Sequence, residues 1–434
     1  MSQAVSLSAA PPSRLRVISA VSIGNALEYY DLALYTFVAM IIGKLAFPAE
    51  DPTSQILLSL GIYGTGYCAR PLGGIVIGAI GDRHGRKTAV NLTLFLMAIG
   101  TVLIGLTPSY ETAGILAPIM VLAGRLIQGF SAGGETGAST TLLAESAPED
   151  ERGFFSSWQA ASQGLAAAFG ALLIAGLNFI LSPDAMMSWG WRIPFILGIA
   201  IVPVGLYLRR SVEETIDVES RDAPKKPNPV GEVVMLHWSR ALWALLALLG
   251  ANAAYVTLNL YLPTYGVREL HMSPAATSTA AMFGGLTMFV TSPLGGILAD
   301  RWGRKESMLL SRIAILIAAW PAFLIITTYP TLPVLIANMI VLSALQGLGS
   351  GFFIAMVENF PKNVRVTGLS VTYALGVILS GGFGQMIVTW LIEATGSKLA
   401  PAFYVIGIGI VSLLGILKLN YVDVRKKGDA NAVA

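Results

Sequence analysis

The sequence predicts an all-α polytopic membrane protein, with twelve transmembrane helices arranged as two pseudo-symmetric six-helix bundles. Of its 434 residues, 54% are hydrophobic and 12% are charged, whereas a soluble globular protein carries about 25% charged residues. Apolar segments of membrane-spanning length recur along the whole chain, and one short motif occurs twice. Strands of a membrane barrel would be only about ten residues long with alternating polarity, so helices are favoured.

Twelve apolar segments are long enough to cross a membrane, because about 20 residues span its hydrocarbon core as a helix. The first is too long, and carries too many acids, for a cleaved signal peptide. In chain order, predicted helices 1 to 12 cover residues 16–43, 55–80, 88–107, 113–145, 153–181, 191–208, 239–262, 274–299, 307–328, 332–357, 366–392 and 401–420.

Basic residues are distributed unevenly between the two sides of the predicted membrane. With both termini in the cytoplasm, 22 of the 28 lysines and arginines fall in cytoplasmic loops, tails and helix ends. Four fall outside, and only Arg70 and Arg125 remain within the membrane. The positive-inside rule therefore predicts cytoplasmic N- and C-termini. The single Cys68 excludes an intramolecular disulfide and a cysteine-based metal site.

The longest polar stretch follows predicted helix 6 and divides the chain into two halves of six helices. We expect five regions: a cytoplasmic lead, a first bundle, a cytoplasmic linker, a second bundle and a cytoplasmic tail. They cover residues 1–16, 17–210, 211–238, 239–421 and 422–434.

An internal repeat supports this division. The motif Asp-Arg-x-Gly-Arg-Lys occurs at residues 82–87, after predicted helix 2, and again at residues 300–305, after predicted helix 8. A glutamate seven residues before an arginine also recurs further along each half. Similar motifs in corresponding loops indicate a duplicated six-helix unit.

The repeated motif resembles the signature of the major facilitator superfamily. Residues 127–152 also resemble its longer sugar-transporter-type signature, Ile-x-Gly-Phe-x2-Gly-x8-Leu-x2-Glu-x6-Arg. Residues 24–31, 70–74 and 190–195 are similar to the metabolite–proton symporter branch. The resemblance runs from about residue 17 to 420. It implies the major facilitator fold and transport by alternating access in a bacterial inner (plasma) membrane.

Residues 117–118, 124–133, 157–163 and 263–266 carry a narrower resemblance, which implies the cargo. It is to bacterial citrate–proton symporters and their tricarballylate relatives, and it implies a proton-coupled symporter that imports citrate or a related tri- or dicarboxylate. A zwitterion such as proline or betaine, or a shikimate-like acid, is the alternative cargo, because one arginine suits the carboxyl group of each. A transport-like sensor is the second alternative.

No enzymatic site is expected. His84, His237 and His271 lie in separate loops or helix ends, without the spacing of metal ligands. The chain has neither a nucleophile elbow nor a phosphate-binding loop. We therefore predict no catalytic residue, cofactor or metal. The expected partners are the lipid bilayer, protons and a small carboxylate, with no nucleic acid, and we expect a functional monomer.

Arg125 is the first candidate for substrate binding. Predicted helix 4 begins near Gly114, so a rise of 1.5 Å per residue places Arg125 about 16 Å deep. Transporters bind their cargo near this depth, and a guanidinium offers a planar fork for a carboxylate. The corresponding position in the second half is Ser343, so the repeat does not explain the arginine. The structural alternative is an ion pair with Glu28 or Asp31.

Asn25, Glu28 and Asp31 lie three residues apart in predicted helix 1, so they are neighbours on one side of the helix. An ionisable group at the bilayer centre costs about 2.5 kcal/mol or more, and it needs a partner, a cavity or a function. We expect Asp31 and Glu28 to couple the proton and Asn25 to contact the cargo. The alternative is that one acid only holds helix 1 against helix 4 or 5.

Polar residues in two other helices complete the predicted site. Gln159 and Gln163 are four residues apart in predicted helix 5, with Ser162 beside them. They bind the cargo or join helices, since a buried amide requires a partner. Tyr255 is either a further cargo contact or an interfacial anchor. Arg70 is expected to serve helix packing or a gate rather than direct binding.

Charged loop residues are predicted to form a cytoplasmic gate. Alternating access requires contacts that form in one state and break in the other. The alternative is that these residues only fix topology and loop shape. They are Asp82, Arg86, Lys87, Glu145 and Arg152 in the first half, and Asp300, Arg304, Glu358 and Arg365 in the second.

Overall fold

The structure, a computed structural model, describes residues 14–84, 86–133, 135–199, 229–362 and 364–421. Each predicted segment contains a helix, and we label these helices α1 to α12, keeping one label where a helix is interrupted. Their bounds are Arg14–Phe37 with Ala39–Ala46 (α1), Pro52–His84 (α2), Arg86–Gly105 (α3), Leu116–Ala132 with Glu135–Glu145 (α4), Arg152–Ile180 (α5), Gly190–Ile199 (α6), Trp238–Arg268 (α7), Pro274–Trp302 (α8), Arg304–Thr328 (α9), Leu332–Leu348 with Gly351–Glu358 (α10), Arg365–Thr395 (α11) and Ala400–Lys418 (α12).

Eight helices of the described chain are long and apolar enough to cross a membrane. A ninth is α1, if its two parts, which meet at a bend of 61°, form one span. Residues 200–208 of predicted helix 6 lie outside the described residues, as does most of the predicted linker. The end of that linker forms a short helix, Pro229–Leu236.

The two halves meet along α5 and α8. A β-carbon on Gly164 would lie 2.8 Å from the carbonyl oxygen of Gly285, and one on Gly285 would lie 2.6 Å from that of Gly164. Gly153 and Gly296 repeat this arrangement, at 2.6 and 2.5 Å. No side chain fits at such distances, so glycine allows the backbones of α5 and α8 to pack directly together.

Glycines also bring α2 against α4. A β-carbon on Gly129 would collide with the carbonyl oxygen of Gly66, and one on Gly133 with that of Arg70. A β-carbon on Gly66 would lie 2.8 Å from the carbonyl oxygen of Arg125. This close packing sets Arg70 and Arg125 on adjacent helices in the middle of the first half.

Contacts between the halves close one end of the bundle, which we call the motif end because it contains the second copy of the repeated motif. The carboxylate of Asp300 accepts hydrogen bonds from the backbone N–H groups of Gly153 and Phe154, each at 2.8 Å. Nearby, Arg365 Nη1 lies 2.8 Å from Glu145 Oε1. Both contacts join residues of different halves, so they hold this end shut.

The opposite end, where α2 begins and α7 ends, is closed as well. Arg268 Nη2 donates to Thr53 Oγ1 at 3.0 Å and lies 2.9 Å from Glu393 Oε2. Deeper in the bundle, Gln385 Nε2 donates to Thr36 Oγ1 at 3.1 Å. Since both ends are closed, the polar groups between them are occluded.

Candidate functional site

A small cavity lies among α1, α2, α3 and α4. Each of the polar groups that line it is buried. We call this space the N-half cavity. The polar residues that line it are Glu28, Asp31, Tyr67, Arg70, Arg125 and Gln128.

Arg125 is held in this cavity by neutral groups. It is 1% exposed, and its Nη1 donates to Gln128 Oε1 at 2.8 Å. Its guanidinium carbon lies 4.9 and 4.6 Å from the ring centroids of Tyr35 and Tyr63, within the range of a cation–π contact. Within the described chain Arg125 forms no ion pair, so the direct pair with Glu28 or Asp31 considered above is absent.

Gln128 connects Arg125 to Asp31. Its Nε2 donates to Thr101 Oγ1 at 3.0 Å and reaches Asp31 Oδ2 at 3.4 Å. Thr101 donates to the same Asp31 oxygen at 2.5 Å, while Asp31 Oδ1 has no hydrogen-bond partner in the described chain. Sequence reasoning identified neither Gln128 nor Thr101 as a site residue. The spacing of three residues between Arg125 and Gln128 was the available signal.

Glu28 pairs with a different arginine. Its Oε1 lies 2.6 Å from Arg70 Nη2, and the two side chains are 3% and 4% exposed. The Arg70 guanidinium carbon also lies 4.5 Å from the ring centroid of Tyr67. The close packing of α2 on α4 thus brings Arg70 into the cavity itself. Its pair with Glu28 joins α1 to α2, and whether Arg70 serves packing, a gate or binding stays a prediction.

Asn25, Gln159 and Ser162 are brought together, but chiefly with one another. Asn25 Nδ2 donates to the Gln159 carbonyl at 2.9 Å and to Ser162 Oγ at 2.7 Å, and Gln159 Nε2 donates to Asn25 Oδ1 at 2.8 Å. These bonds join α1 to α5. Gln159 Oε1 and Gln163 Nε2 are buried without a hydrogen-bond partner in the described chain.

Three tyrosines from both halves meet beside the N-half cavity. Tyr29 and Tyr373 share a hydrogen bond of 2.8 Å between their hydroxyl groups, and the rings of Tyr29 and Tyr255 pack edge to face at 6.2 Å. We call these residues the tyrosine cluster. Tyr255 is 6% exposed, and its hydroxyl has no hydrogen-bond partner among the described residues. It lies in the interior and is not an interfacial anchor.

The gate residues that the structure describes form ion pairs both within the second half and between the halves. Glu145 pairs across the halves with Arg365. Arg304 Nε lies 3.3 Å from Glu358 Oε2, and Arg304 Nη1 lies 3.1 Å from Asp300 Oδ1. Arg152 is the first residue of α5. The side chains of Asp82, Arg86 and Lys87 lie outside the described part of the chain.

One arginine was misplaced by sequence reasoning. Predicted helix 9 begins at residue 307, so the sequence places Arg312 among the basic residues at cytoplasmic helix ends. The observed α9 begins at Arg304, and Arg312 is 6% exposed inside the bundle. The middle of the described bundle therefore buries three arginines rather than two.

Comparison with known structures and sequences identifies the fold. The crystal structure of a D-xylose-proton symporter superposes with a TM-score of 0.72 at 18% identity, covering 95% of this chain and 98% of that one. The citrate-proton symporter of Klebsiella pneumoniae is 36% identical, over 93% of this chain and 91% of the relative. The proline/betaine transporter of Escherichia coli K12 is 32% identical, over 92% of this chain and 82% of the relative.

The family assignment rests on the sequence as a whole. The sequence model of the Major Facilitator Superfamily matches residues 21–367 and 267–433. The named relatives are transporters, which confirms the prediction of a multi-pass membrane transporter rather than an enzyme. The chain belongs to the Major Facilitator Superfamily.

Proposed function

We propose that the protein is a proton-coupled symporter that imports a small organic carboxylate across a bacterial inner membrane. The observation that carries this proposal is the occluded chain of contacts from Arg125 through Gln128 to Asp31. It links a cation suited to a carboxylate with an acid suited to a proton. Relatives named as a citrate-proton symporter and a proline/betaine transporter support carboxylate-bearing cargo.

The buried charges favour an anion over a zwitterion. In the middle of the described bundle, three cations (Arg70, Arg125 and Arg312) stand against two acids (Glu28 and Asp31). The site therefore has one net positive charge when both acids are ionised, and two when one is protonated. An uncompensated buried charge is costly, so anionic cargo compensates this charge and a zwitterion does not. We propose citrate or a related tri- or dicarboxylate, with proline or betaine as the second candidate.

Asp31 is the proposed proton carrier, in preference to Glu28. Glu28 lies 2.6 Å from the Arg70 guanidinium, and this contact stabilises its ionised form. Asp31 accepts hydrogen bonds only from the neutral side chains of Thr101 and Gln128 within the described chain. Protonation of Asp31 therefore breaks no direct ion pair.

Gln128 provides a way to couple the two events. Its amide oxygen occupies Arg125 while its amide nitrogen faces Asp31. A cargo carboxylate that binds Arg125 competes with the Gln128 oxygen and so alters the hydrogen bond to Asp31. Cargo binding and protonation of Asp31 are linked through this one side chain.

The closed ends of the bundle supply the gates. We propose that the motif end faces the cytoplasm, as the distribution of basic residues predicts. Inward opening would then break the contacts of Asp300 with α5 and of Glu145 with Arg365. Outward opening would break the contacts of Arg268 with Thr53 and Glu393. Contacts of this kind, present in one state and absent in the other, are what alternating access requires.

Uptake of radiolabelled citrate into proteoliposomes, with acid outside, tests the proposal. We expect accumulation that collapses with a protonophore. Asp31→Asn should abolish gradient-driven accumulation of citrate. It should retain citrate exchange across the membrane, since Arg125, the cation proposed to bind citrate, is intact. Thr101→Ala, the matched control, removes a hydrogen bond to Asp31 but keeps the carboxyl group and should still accumulate citrate.

Each part of the proposal has its own contrary outcome. Accumulation by Asp31→Asn at the wild-type level would exclude Asp31 as the proton carrier. Wild-type uptake that ignores the protonophore would exclude proton coupling. Uptake that unlabelled betaine or proline inhibits, and citrate does not, would favour the second cargo.

A further inference from the structure

Arg312 is buried in α9 without an acidic partner among the described residues. It lies eight residues after Arg304, which places it about 12 Å along the helix. Its Nη1 donates to the carbonyl oxygen of Gly250 in α7 at 2.6 Å, and its Nε has no partner in the described chain. The repeat does not explain it, because the offset of 218 residues between the two motifs aligns Arg312 with Leu94.

Arg312 lines a second cavity, which we call the C-half cavity. Residues of α5, α7, α8, α9, α10, α11 and α12 line this space, so both halves contribute to it. Its polar lining contains no carboxylate. Gln346 Oε1 and the Tyr255 hydroxyl are buried there without a hydrogen-bond partner in the described chain. The polar residues are Asn252, Tyr255, Ser311, Arg312, Gln346, Ser350 and Tyr373.

The tyrosine cluster separates the two cavities. Tyr255 and Tyr373 line the C-half cavity, and Tyr29 contacts both of them from the first half. Glu28 and Asp31 line the other cavity. Arg70 already has Glu28, and Arg125 is connected to Asp31 through Gln128, so Arg312 is the one buried arginine in the middle of the described bundle that no acid compensates.

We propose that Arg312 binds one carboxylate of the cargo, in a second subsite within the C-half cavity. Nη1 is occupied by the Gly250 carbonyl, which leaves the edge formed by Nε and Nη2 for a forked contact with a carboxylate. The cargo thereby supplies the anion that the protein lacks at this position. This inference rests on the proposed transport of a carboxylate.

A merely structural arginine would only tie α9 to α7 through Gly250. Two variants separate this role from anion binding. Arg312→Gln keeps a donor that can reach toward Gly250 but removes the charge. Gln346→Glu keeps Arg312 and places an acid in the same cavity, where it competes with cargo. Thr327→Ala is the matched control, because it removes a polar side chain of α9 that lies outside the lining of the C-half cavity.

Binding of citrate to the purified full-length protein, measured by scintillation proximity, tests the subsite. Arg312→Gln and Gln346→Glu should each weaken binding by about 30-fold, the loss expected when one charged partner is removed. Thr327→Ala should bind within about threefold of wild type, as expected for a change outside the cavity. Gln346→Glu should also raise the melting temperature, because the new acid compensates a buried cation. If Arg312 had only a structural role, the gain in stability would not be accompanied by a loss of citrate binding.

The outcomes distinguish the subsite from the proposed function. Wild-type protein that binds citrate, together with an Arg312→Gln variant that is folded and binds it equally well, would refute the subsite alone. Unchanged binding by Gln346→Glu would refute it as well. Folded wild-type protein that binds no citrate would refute the cargo assignment and the subsite with it.

Discussion

The two halves of the molecule handle buried charge differently. In the first half, Arg70 pairs with Glu28, and Arg125 reaches Asp31 through Gln128. In the second half, Arg312 has no acid among the described residues and contacts a backbone carbonyl. The buried charges of the first half are therefore close to balanced, whereas the buried arginine of the second half has no acid beside it in the described chain.

The corresponding residues of the repeat sharpen this contrast. Ser343 stands where the first half has Arg125, and it donates a hydrogen bond of 2.6 Å to Asn259. Arg312 in turn corresponds to Leu94. A duplicated fold provides each half with equivalent helix positions, but Arg125 and Arg312 each occur in only one of the two copies. In such a protein, the departures from symmetry locate the chemistry better than the shared motifs do.

The largest expected effect is that of Arg125→Ala. It removes the cation that faces the cargo and the compensating charge near Asp31, so citrate uptake should fall by about 100-fold or more. Arg125→Lys keeps the charge without the planar fork and should retain intermediate activity. Initial uptake rates in proteoliposomes measure both variants, with protein content and monodispersity as controls. High-affinity uptake by Arg125→Ala would remove the residue from the site.

The next effect concerns stability and tests the difference between the halves directly. Glu28→Gln leaves Arg70 buried without its anion and should destabilise the protein by roughly 3–5 kcal/mol. The double variant Glu28→Gln with Arg70→Met should recover most of this loss. Arg312→Met should cost much less, because no acid is left behind. These differences are measured as shifts in melting temperature in detergent.

The contrast would fail in either of two ways. If Arg312→Met destabilised the protein as much as Glu28→Gln does, the second half would compensate the charge of its arginine by itself. A double variant no more stable than Glu28→Gln would show that the packing around Arg70, rather than its charge, causes the loss.

The fold could be predicted because hydropathy is a local property. Apolar length gave the twelve helices, and the spacing of Arg125 from its helix start gave its burial. The choice of ionic partners could not be predicted in this way. The glycine contacts of α2 with α4 bring both arginines to the same cavity, where Glu28 pairs with Arg70 and not with Arg125. Such contacts depend on how helices far apart in sequence pack.

Arg312 and the motif end show the same limit. A helix that starts three residues earlier than predicted, at Arg304 rather than 307, moves Arg312 deeper into the bundle. Its burial then depends on α7, which lies more than forty residues away. At the motif end, sequence similarity grouped charges within each half, yet Glu145 and Asp300 make their contacts across the halves. The repeat indicates that the two halves descend from one six-helix unit. Which charged residues pair depends instead on how the two halves pack against each other.

The smallest expected effect tests the boundary between the two cavities. Tyr373→Phe removes the hydroxyl that meets Tyr29 across the halves, a loss of about 1 kcal/mol or a few-fold in uptake rate. Tyr29→Phe should behave alike, and the double variant should be no worse than either single one, because all three break the same hydrogen bond. Initial uptake rates compare the three. If Tyr373→Phe alone abolished uptake as Arg125→Ala is expected to do, its hydroxyl would belong to the binding site, and the cluster would join the two cavities rather than separate them.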